Sequence, residues 1–181
     1  MRDDKNRIAL AGASKNAARA FEAVTTPEFA HVPIDEKSAW AMAALIHCDV
    51  CRLVIAFDEC ERDGIARLLC MADISSKLFE ARNWYNNTGT DLLRGIAVRK
   101  PCGVASVNIS IEHLKSAHQV HRINKYADYR NKFGYHYDAQ ALQYLQQFGG
   151  EDAEEFFEVL RSFVRFSGEW AQLTKSLVQS Q

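Results

Sequence analysis

The sequence predicts an all-α protein, folded as a single antiparallel helical bundle of about six helices over residues 1–181. The three prolines stand at positions 27, 33 and 101, so nothing of that kind interrupts a helix in the C-terminal part of the chain. Apolar residues recur at spacings of three and four, which is the period of one helix face. With 48% apolar residues, a chain of 181 residues can bury a core as one domain.

Apolar periodicity defines the first three helices. The first ends at Thr25-Thr26-Pro27 and carries an apolar face of Leu10, Ala17, Phe21 and Val24. Asp35 is the predicted N-cap of the second helix, whose buried face includes Ala44, His47, Cys51 and Val54. A break near 58–64 precedes a third helix, with face positions at Leu68, Met71, Ser75, Leu78, Arg82 and Tyr85.

The middle of the chain alternates loop signals and helices. Asn86-Asn87-Thr88-Gly89 predicts a loop, and a short helix is expected from Asp91 to Val98. A longer helix is predicted from about Ile109 to Lys132, with Gly134 ending it. Asp138 is then the predicted cap of a helix that bears Leu142, Leu145 and Phe148.

The last predicted helix has the clearest pattern. Gly149-Gly150 ends the preceding helix, and Asp152 with Glu155 resembles a capping box. An apolar seam follows at spacings of four and three: Val159, Phe163, Phe166, Trp170, Leu173 and Leu177. Such a seam predicts packing against other helices.

Composition excludes several classes of protein. A formal net charge of −1 is not that of a polycation that coats nucleic acid, so any basic surface must be local. Uncharged apolar runs such as 39–46 and 53–57 are shorter than the about 20 residues of a membrane span, and residues 1–6 lack the apolar core of a signal peptide. We therefore expect a cytoplasmic protein without membrane contact.

Five cysteines, at positions 48, 51, 60, 70 and 102, do not indicate a disulfide framework, because their number is odd. Cys48 and Cys51 have CxxC spacing, but no second close pair completes a zinc site. We interpret them as small apolar residues on a buried helix face.

A basic zone stands out near the predicted end of the long helix. Between residues 113 and 137 there are five Lys or Arg residues and one carboxylate, Asp128, with four tyrosines among them. Arg130 continues an apolar stripe of Ala117, Val120, Ile123 and Ala127. An arginine there snorkels to solvent, pairs with a carboxylate such as Asp128 or Asp138, or points into a functional cleft.

The segment resembles a known family. Arg130-Asn131, then four residues, then His136 is similar to the R-x(4–6)-H signature of the HEPN superfamily, in which a polar residue follows the arginine. The flanking residues resemble those of the abortive-infection branch in particular. The resemblance implies a metal-independent endoribonuclease of toxin–antitoxin or phage-defence systems. It also implies a homodimer whose two motifs share one cleft, and an antitoxin protein as a further partner.

Physical chemistry supports similar roles for these residues. Cleaving RNA with its own 2′-hydroxyl needs a base and a fixed cation but no metal or cofactor. Neutral His136 fits the base, Arg130 fits a phosphate clamp, and Asn131 can orient the phosphate or the imidazole. The remaining predicted RNA-binding residues are Lys125, Tyr126, Tyr129, Lys132 and Tyr137.

Two other readings stay open. Arg130 and His136 could merely cap helix ends and pair with Asp138. The function could also be that of a catalytically inactive HEPN-like module that binds a nucleotide, RNA or a partner protein. His113, His118 and His121 are interpreted as a solvated helix face, because no acidic residue at matching spacing completes a metal site.

Overall fold

The all-α prediction is confirmed by the computed structural model, which describes residues 2–60, 64–131 and 150–180. Within these ranges the chain forms α-helices joined by tighter and wider helical turns, and it forms no strand. The α-helices are α1 (Arg2–Thr25), α2 (Ile34–Glu59), α3 (Gly64–Trp84), α4 (Thr90–Ala97), α5 (Gly103–His118), α6 (Ala127–Tyr129) and α7 (Gly150–Gln179). Two 3₁₀-helices (Pro27–Phe29 and Val120–Tyr126) and a π-helical turn (Tyr85–Gly89) complete the described ranges.

The core lies between α2 and α7, with α1 packed along α2. Phe163, Phe166 and Trp170 of α7 are each at most 1% exposed, so the predicted apolar seam is the packing face of this helix. Tyr85 lies in the same core, with its ring centroid 4.9 Å from those of Phe166 and Trp170. These aromatic contacts hold the π-helical turn that follows α3 against α7.

Helix α2 also meets the length and hydropathy criteria for a membrane span, which the inspection of short uncharged runs did not anticipate. A core helix of a bundle meets the same criteria, and half of the most apolar window of α2 is buried here. Its cysteines agree with the sequence interpretation. Cys51 is 2% exposed, Cys48 is half-buried, and all five cysteines are free thiols.

The start of α2 differs from the prediction. Pro33 occupies the N-cap position, and Asp35 lies in the first turn. Asp35 instead accepts a hydrogen bond of 2.7 Å from Nη2 of Arg99. The buried Glu36 takes part in the same cluster, 3.0 Å from Arg99 and 3.2 Å from Lys100. The Asp35 carboxylate, which local sequence assigned to a cap, therefore binds an arginine 64 residues away.

The predicted loop at 86–89 is a π-helical turn that continues directly into α4. Its polar side chains bond back to the preceding turn: Thr90 Oγ1 donates to the carbonyl of Tyr85 at 2.7 Å, and Asn87 Nδ2 donates to that of Asn83 at 3.1 Å. Gly89 lies directly against the Trp84 ring. Polar residues that usually favour a loop here donate hydrogen bonds to backbone carbonyls of a widened helix.

The prediction of one long helix from Ile109 to Lys132 is wrong. Helix α5 begins earlier, at Gly103, and ends at His118, and Gln119 then adopts a left-handed conformation with φ of 47°. Ser162 of α7 donates a hydrogen bond to the carbonyl of His118, which supplies a partner for an end carbonyl. The following 3₁₀-helix buries Val120 and Ile123 in the core.

The start of the last helix also differs from the prediction. Helix α7 begins at Gly150, so the predicted cap Asp152 lies inside it. Glu155 binds Lys125 and Arg122, so the carboxylate that would close the capping box is engaged elsewhere. The predicted stop at Gly134 and the helix capped by Asp138 lie outside the described residues.

Candidate functional site

Arg130 lies in the turn that follows α6 and is held against α3. Its Nη2 is 3.3 Å from Oε1 of Glu80, and its guanidinium carbon is 5.3 Å from the centroid of the Phe79 ring. The side chain is 32% exposed and that of Glu80 is 61% exposed. Arg130 is therefore a partly exposed cation beside an aromatic ring, and Glu80, which the sequence did not suggest, is one of its partners.

The apolar stripe that singled out Arg130 does not exist as one helix face. Ala117 belongs to α5 and is exposed, whereas Val120 and Ile123 belong to the 3₁₀-helix beyond the break at Gln119. Arg130 is thus not the polar member of a buried helical stripe. Its position depends on its contacts with α3.

Carboxylates from distant helices pair with three cations of the basic zone. Glu155 of α7 forms an ion pair with Lys125 and lies 3.5 Å from Nη2 of Arg122. The hydrogen bond from Lys125 lowers the pKa of Glu155 most, so that carboxylate stays charged. Glu155 and Glu80 thus offset part of the excess of cations that the local sequence shows.

The tyrosines of the zone have different surroundings. Tyr126 is 1% exposed and its ring packs edge-on against Phe156, with centroids 4.8 Å apart. The prediction that Tyr126 stacks on RNA bases is wrong for this conformation, because a base cannot reach its ring. Tyr129 is half-buried, 5.9 Å from Tyr126 between ring centroids, and keeps part of its surface in solvent.

The structure describes part of the predicted catalytic set. Asn131 is exposed directly beside Arg130. His136, Lys132 and Tyr137 lie outside the described residues.

Sequence inspection missed a cavity of about 1140 Å³ that lies between α1, α2 and α3. Its lining includes Met42 and Leu45, which are 38% and 42% exposed, together with Trp84 and Lys77. Glu80 also lines the cavity, so the partner of Arg130 stands at its edge. No single motif could reveal it, because its walls come from three helices far apart in the chain.

A polar cluster inside the α2–α7 contact was also missed. His47 Nδ1 lies 2.9 Å from Ser167 Oγ, which donates to the carbonyl of Val164 at 3.1 Å. The hydroxyl has one proton, so when it donates to the carbonyl it accepts from Nδ1 of His47, and Nε2 is the ring nitrogen nearer Cys51 Sγ, at 3.7 Å. Burial lowers the pKa of His47 and raises that of Cys51 to about 11. The pair is therefore a neutral imidazole and a protonated thiol, which do not form a nucleophile set.

The three histidines of the α5 region do not share a face. His118 is 12% exposed, with Nε2 3.1 Å from Oε2 of Glu169, so its assignment to a solvated face is wrong. His113 and His121 are exposed. Among the described residues, no group of three or more His, Cys, Asp or Glu could hold a metal ion.

Comparison with known proteins adds no relative. No protein-family model, curated protein or solved structure matches this chain. The resemblance to HEPN domains therefore depends on the motif from Arg130 to His136.

Proposed function

We propose that this chain is a metal-independent endoribonuclease of the HEPN type, acting in a toxin–antitoxin or abortive-infection system. One observation carries the proposal: the motif arginine is a partly exposed, oriented cation next to the exposed Asn131 in an all-helical bundle. Contacts with Phe79 and Glu80 limit the rotation of its guanidinium, as a phosphate clamp requires.

Glu80 has a defined role in this proposal. It is the resident counter-ion of Arg130, and RNA phosphate displaces it. An ion pair this exposed contributes about 0–1 kcal/mol, so exchanging the carboxylate for a phosphate costs little. Arg130 can then bind two phosphate oxygens through its planar fork while His136 takes the proton of the 2′-hydroxyl.

The substrate we propose is an unpaired RNA strand. The cavity beside Glu80 has a volume of about 1140 Å³, which is ample for an unstacked nucleotide. Trp84 and Lys77 in its lining supply an aromatic ring and a cation. Together with Tyr129, these residues take over part of the role that the sequence assigned to Tyr126 and Lys125.

The biological setting of the proposal follows from the resemblance. We propose a cytoplasmic homodimer in which two copies of the motif meet, with an antitoxin protein as the partner that restrains it. Neither assembly is needed for the first test, which uses the purified chain.

The pairing of cations in the basic zone with Glu155 and Glu80 favours one alternative, a catalytically inactive module that binds RNA, a nucleotide or a partner protein. Glu155 occupies Lys125 and Arg122, which leaves less positive surface for a long RNA than the local sequence suggests. Such a module would keep the fold and the Arg130 contacts but would cleave nothing.

The deciding experiment is incubation of labelled RNA with purified protein in EDTA. The proposed mechanism yields a 2′,3′-cyclic phosphate and a 5′-hydroxyl, and it leaves a DNA strand of the same sequence intact. Removing the base in His136→Ala should slow cleavage by about 10²–10⁴-fold. Arg130→Ala and Arg130→Lys should be comparably slow, because lysine cannot reproduce the planar fork.

Circular dichroism and thermal unfolding of each variant serve as controls for folding. Arg161→Ala is a matched control, because Arg161 is also a partly exposed arginine, paired with Glu158 and lying 4.9 Å from the centroid of the Phe157 ring. Cleavage that needs Mg²⁺, leaves 5′-phosphates or persists in His136→Ala would refute the mechanism. Binding of RNA without cleavage by the wild-type protein would establish the alternative.

A further inference from the structure

Two thiols from different helices meet at the corner between α2 and α3. Cys60 is the C-cap of α2, and its backbone N–H donates to the carbonyl of Ala56 at 3.1 Å. Cys70, in the second turn of α3, directs its thiol at the same carbonyl, with Sγ 3.9 Å from the oxygen. Burial raises the pKa of Cys70, and Cys60 lies close enough to raise it further, so the two thiols are neighbours at this corner. We propose that Cys60 and Cys70 form a redox-active pair, which a hydroperoxide converts into a reversible intramolecular disulfide.

The surroundings give an oxidant access to this pair. Both cysteines are half-buried and both are free thiols. Cys70 lines an open cavity of about 660 Å³ between α2 and α3, together with Ala66 and Leu69. Leu69 is 37% exposed, so the cavity opens towards solvent. Cys70 can therefore be reached from solvent through this cavity, and Cys60 is itself partly exposed.

The order of the two chemical steps follows from the environment of Cys70. The Cys70 thiol points at the Ala56 carbonyl, and burial raises its pKa, so this thiol keeps its proton. The thiolate of Cys60 attacks one oxygen of hydrogen peroxide, the O–O bond breaks, and the departing hydroxide is protonated to water, leaving a sulfenic acid. The Cys70 sulfur then attacks the sulfenic sulfur, the S–O bond breaks, and the hydroxyl leaves as water with the Cys70 proton. Two thiols and one peroxide thus give one disulfide and two waters.

The CxxC pair of the sequence is the natural control for this proposal. Cys48 and Cys51 lie at positions i and i+3 of the continuous helix α2. Side chains so placed are about 5–6 Å apart at Cβ, whereas a disulfide needs about 3.5–4.5 Å. Burial also raises the pKa of Cys51 to about 11. The familiar motif should therefore stay reduced while the pair that only the fold brings together is oxidised.

Peptide mapping of the full chain distinguishes these outcomes. Reduced protein is treated with hydrogen peroxide, free thiols are alkylated, and trypsin is added. Cleavage after Arg62 and Arg67 separates the two cysteines, so the disulfide appears as peptide 53–62 joined to peptide 68–77. We expect this linked species to be the main product and to disappear on treatment with dithiothreitol. The oxidised protein should also unfold at a higher temperature, because the bond closes a loop between two helices.

Single substitutions test the order of the steps. Cys70→Ser should leave a sulfenic acid at Cys60 that dimedone labels, whereas Cys60→Ser should leave Cys70 almost unlabelled. Cys102→Ser removes the exposed thiol at the α4–α5 turn and should not reduce formation of the 53–62/68–77 species. The proposal is overturned if peroxide links Cys48 to Cys51, or joins two chains through Cys102, while Cys60 and Cys70 remain alkylated. Stronger dimedone labelling at Cys70 than at Cys60 would overturn the proposed order.

Discussion

Replacing Glu80 with glutamine tests whether the carboxylate beside Arg130 competes with substrate. The two side chains are 32% and 61% exposed and 3.3 Å apart, and exposed pairs of this kind are worth about 0.2–1 kcal/mol. Removing the charge removes that competition, so RNA binding should become about 1.4–5-fold tighter. Because the amide keeps the size of the side chain, the bundle should unfold at nearly the same temperature.

Steady-state cleavage of a short RNA in EDTA gives the measurement. In Glu80→Gln we expect KM to fall by the factor above and kcat to change little. Glu158→Gln is the matched control, since Glu158 is also 61% exposed and pairs with an arginine, Arg161, at 3.1 Å. A fall in kcat at constant KM in Glu80→Gln alone would refute this account, because Glu80 would then position Arg130 for catalysis.

Two further predictions concern stability. In Gly89→Ala the new Cβ would lie 2.7 Å from the Trp84 ring, so overpacking of about 1–3 kcal/mol should outweigh the helix-propensity gain of about 1 kcal/mol. The Cβ of Gly12→Ala meets nothing within 4 Å, so this control protein should be stabilised by that gain. Equal effects of the two substitutions in urea unfolding would contradict the close contact at Gly89. Burial lowers the pKa of His47, so the unfolded chain binds more protons than the folded one as pH falls below about 6.5. The free energy of unfolding should therefore drop in that range in the wild type more than in His47→Gln, and parallel pH profiles would contradict this assignment.

The sequence predicted best those elements in which every apolar residue of a pattern serves the same core. The seam of α7 is such an element, because Phe163, Phe166 and Trp170 all lie in one buried core at helical spacing. The break at Gln119 could not be predicted in this way. Gln119 takes a left-handed conformation that usually marks glycine, and its helix end is supported by Ser162, which lies more than 40 residues further along the chain.

The candidate site was predicted in part for a related reason. Arg130 and Asn131 were found because they belong to a short motif, and motif residues are close in sequence by definition. Tyr126 and the charge balance were misjudged, because burial and ion pairs depend on residues of other helices. Glu80 and Glu155 are 50 and 30 residues from the cations that they neutralise, beyond the reach of any local charge count.

This long-range pairing changes how RNA binding should depend on salt. Arg122, Lys125 and Arg130, if free, would give a slope of log K against log salt of about −2 on single-stranded RNA, at about −0.7 for each cation. Each of them instead exchanges a carboxylate for a phosphate, so the phosphate charge is only partly compensated and fewer counterions leave the RNA. We expect a shallower slope for the wild type and a steeper one for Glu155→Gln. Filter binding between 50 and 300 mM salt gives both slopes. Identical slopes for the two proteins would show that Arg122 and Lys125 make no contact with RNA phosphates, because only these two cations respond to the loss of Glu155.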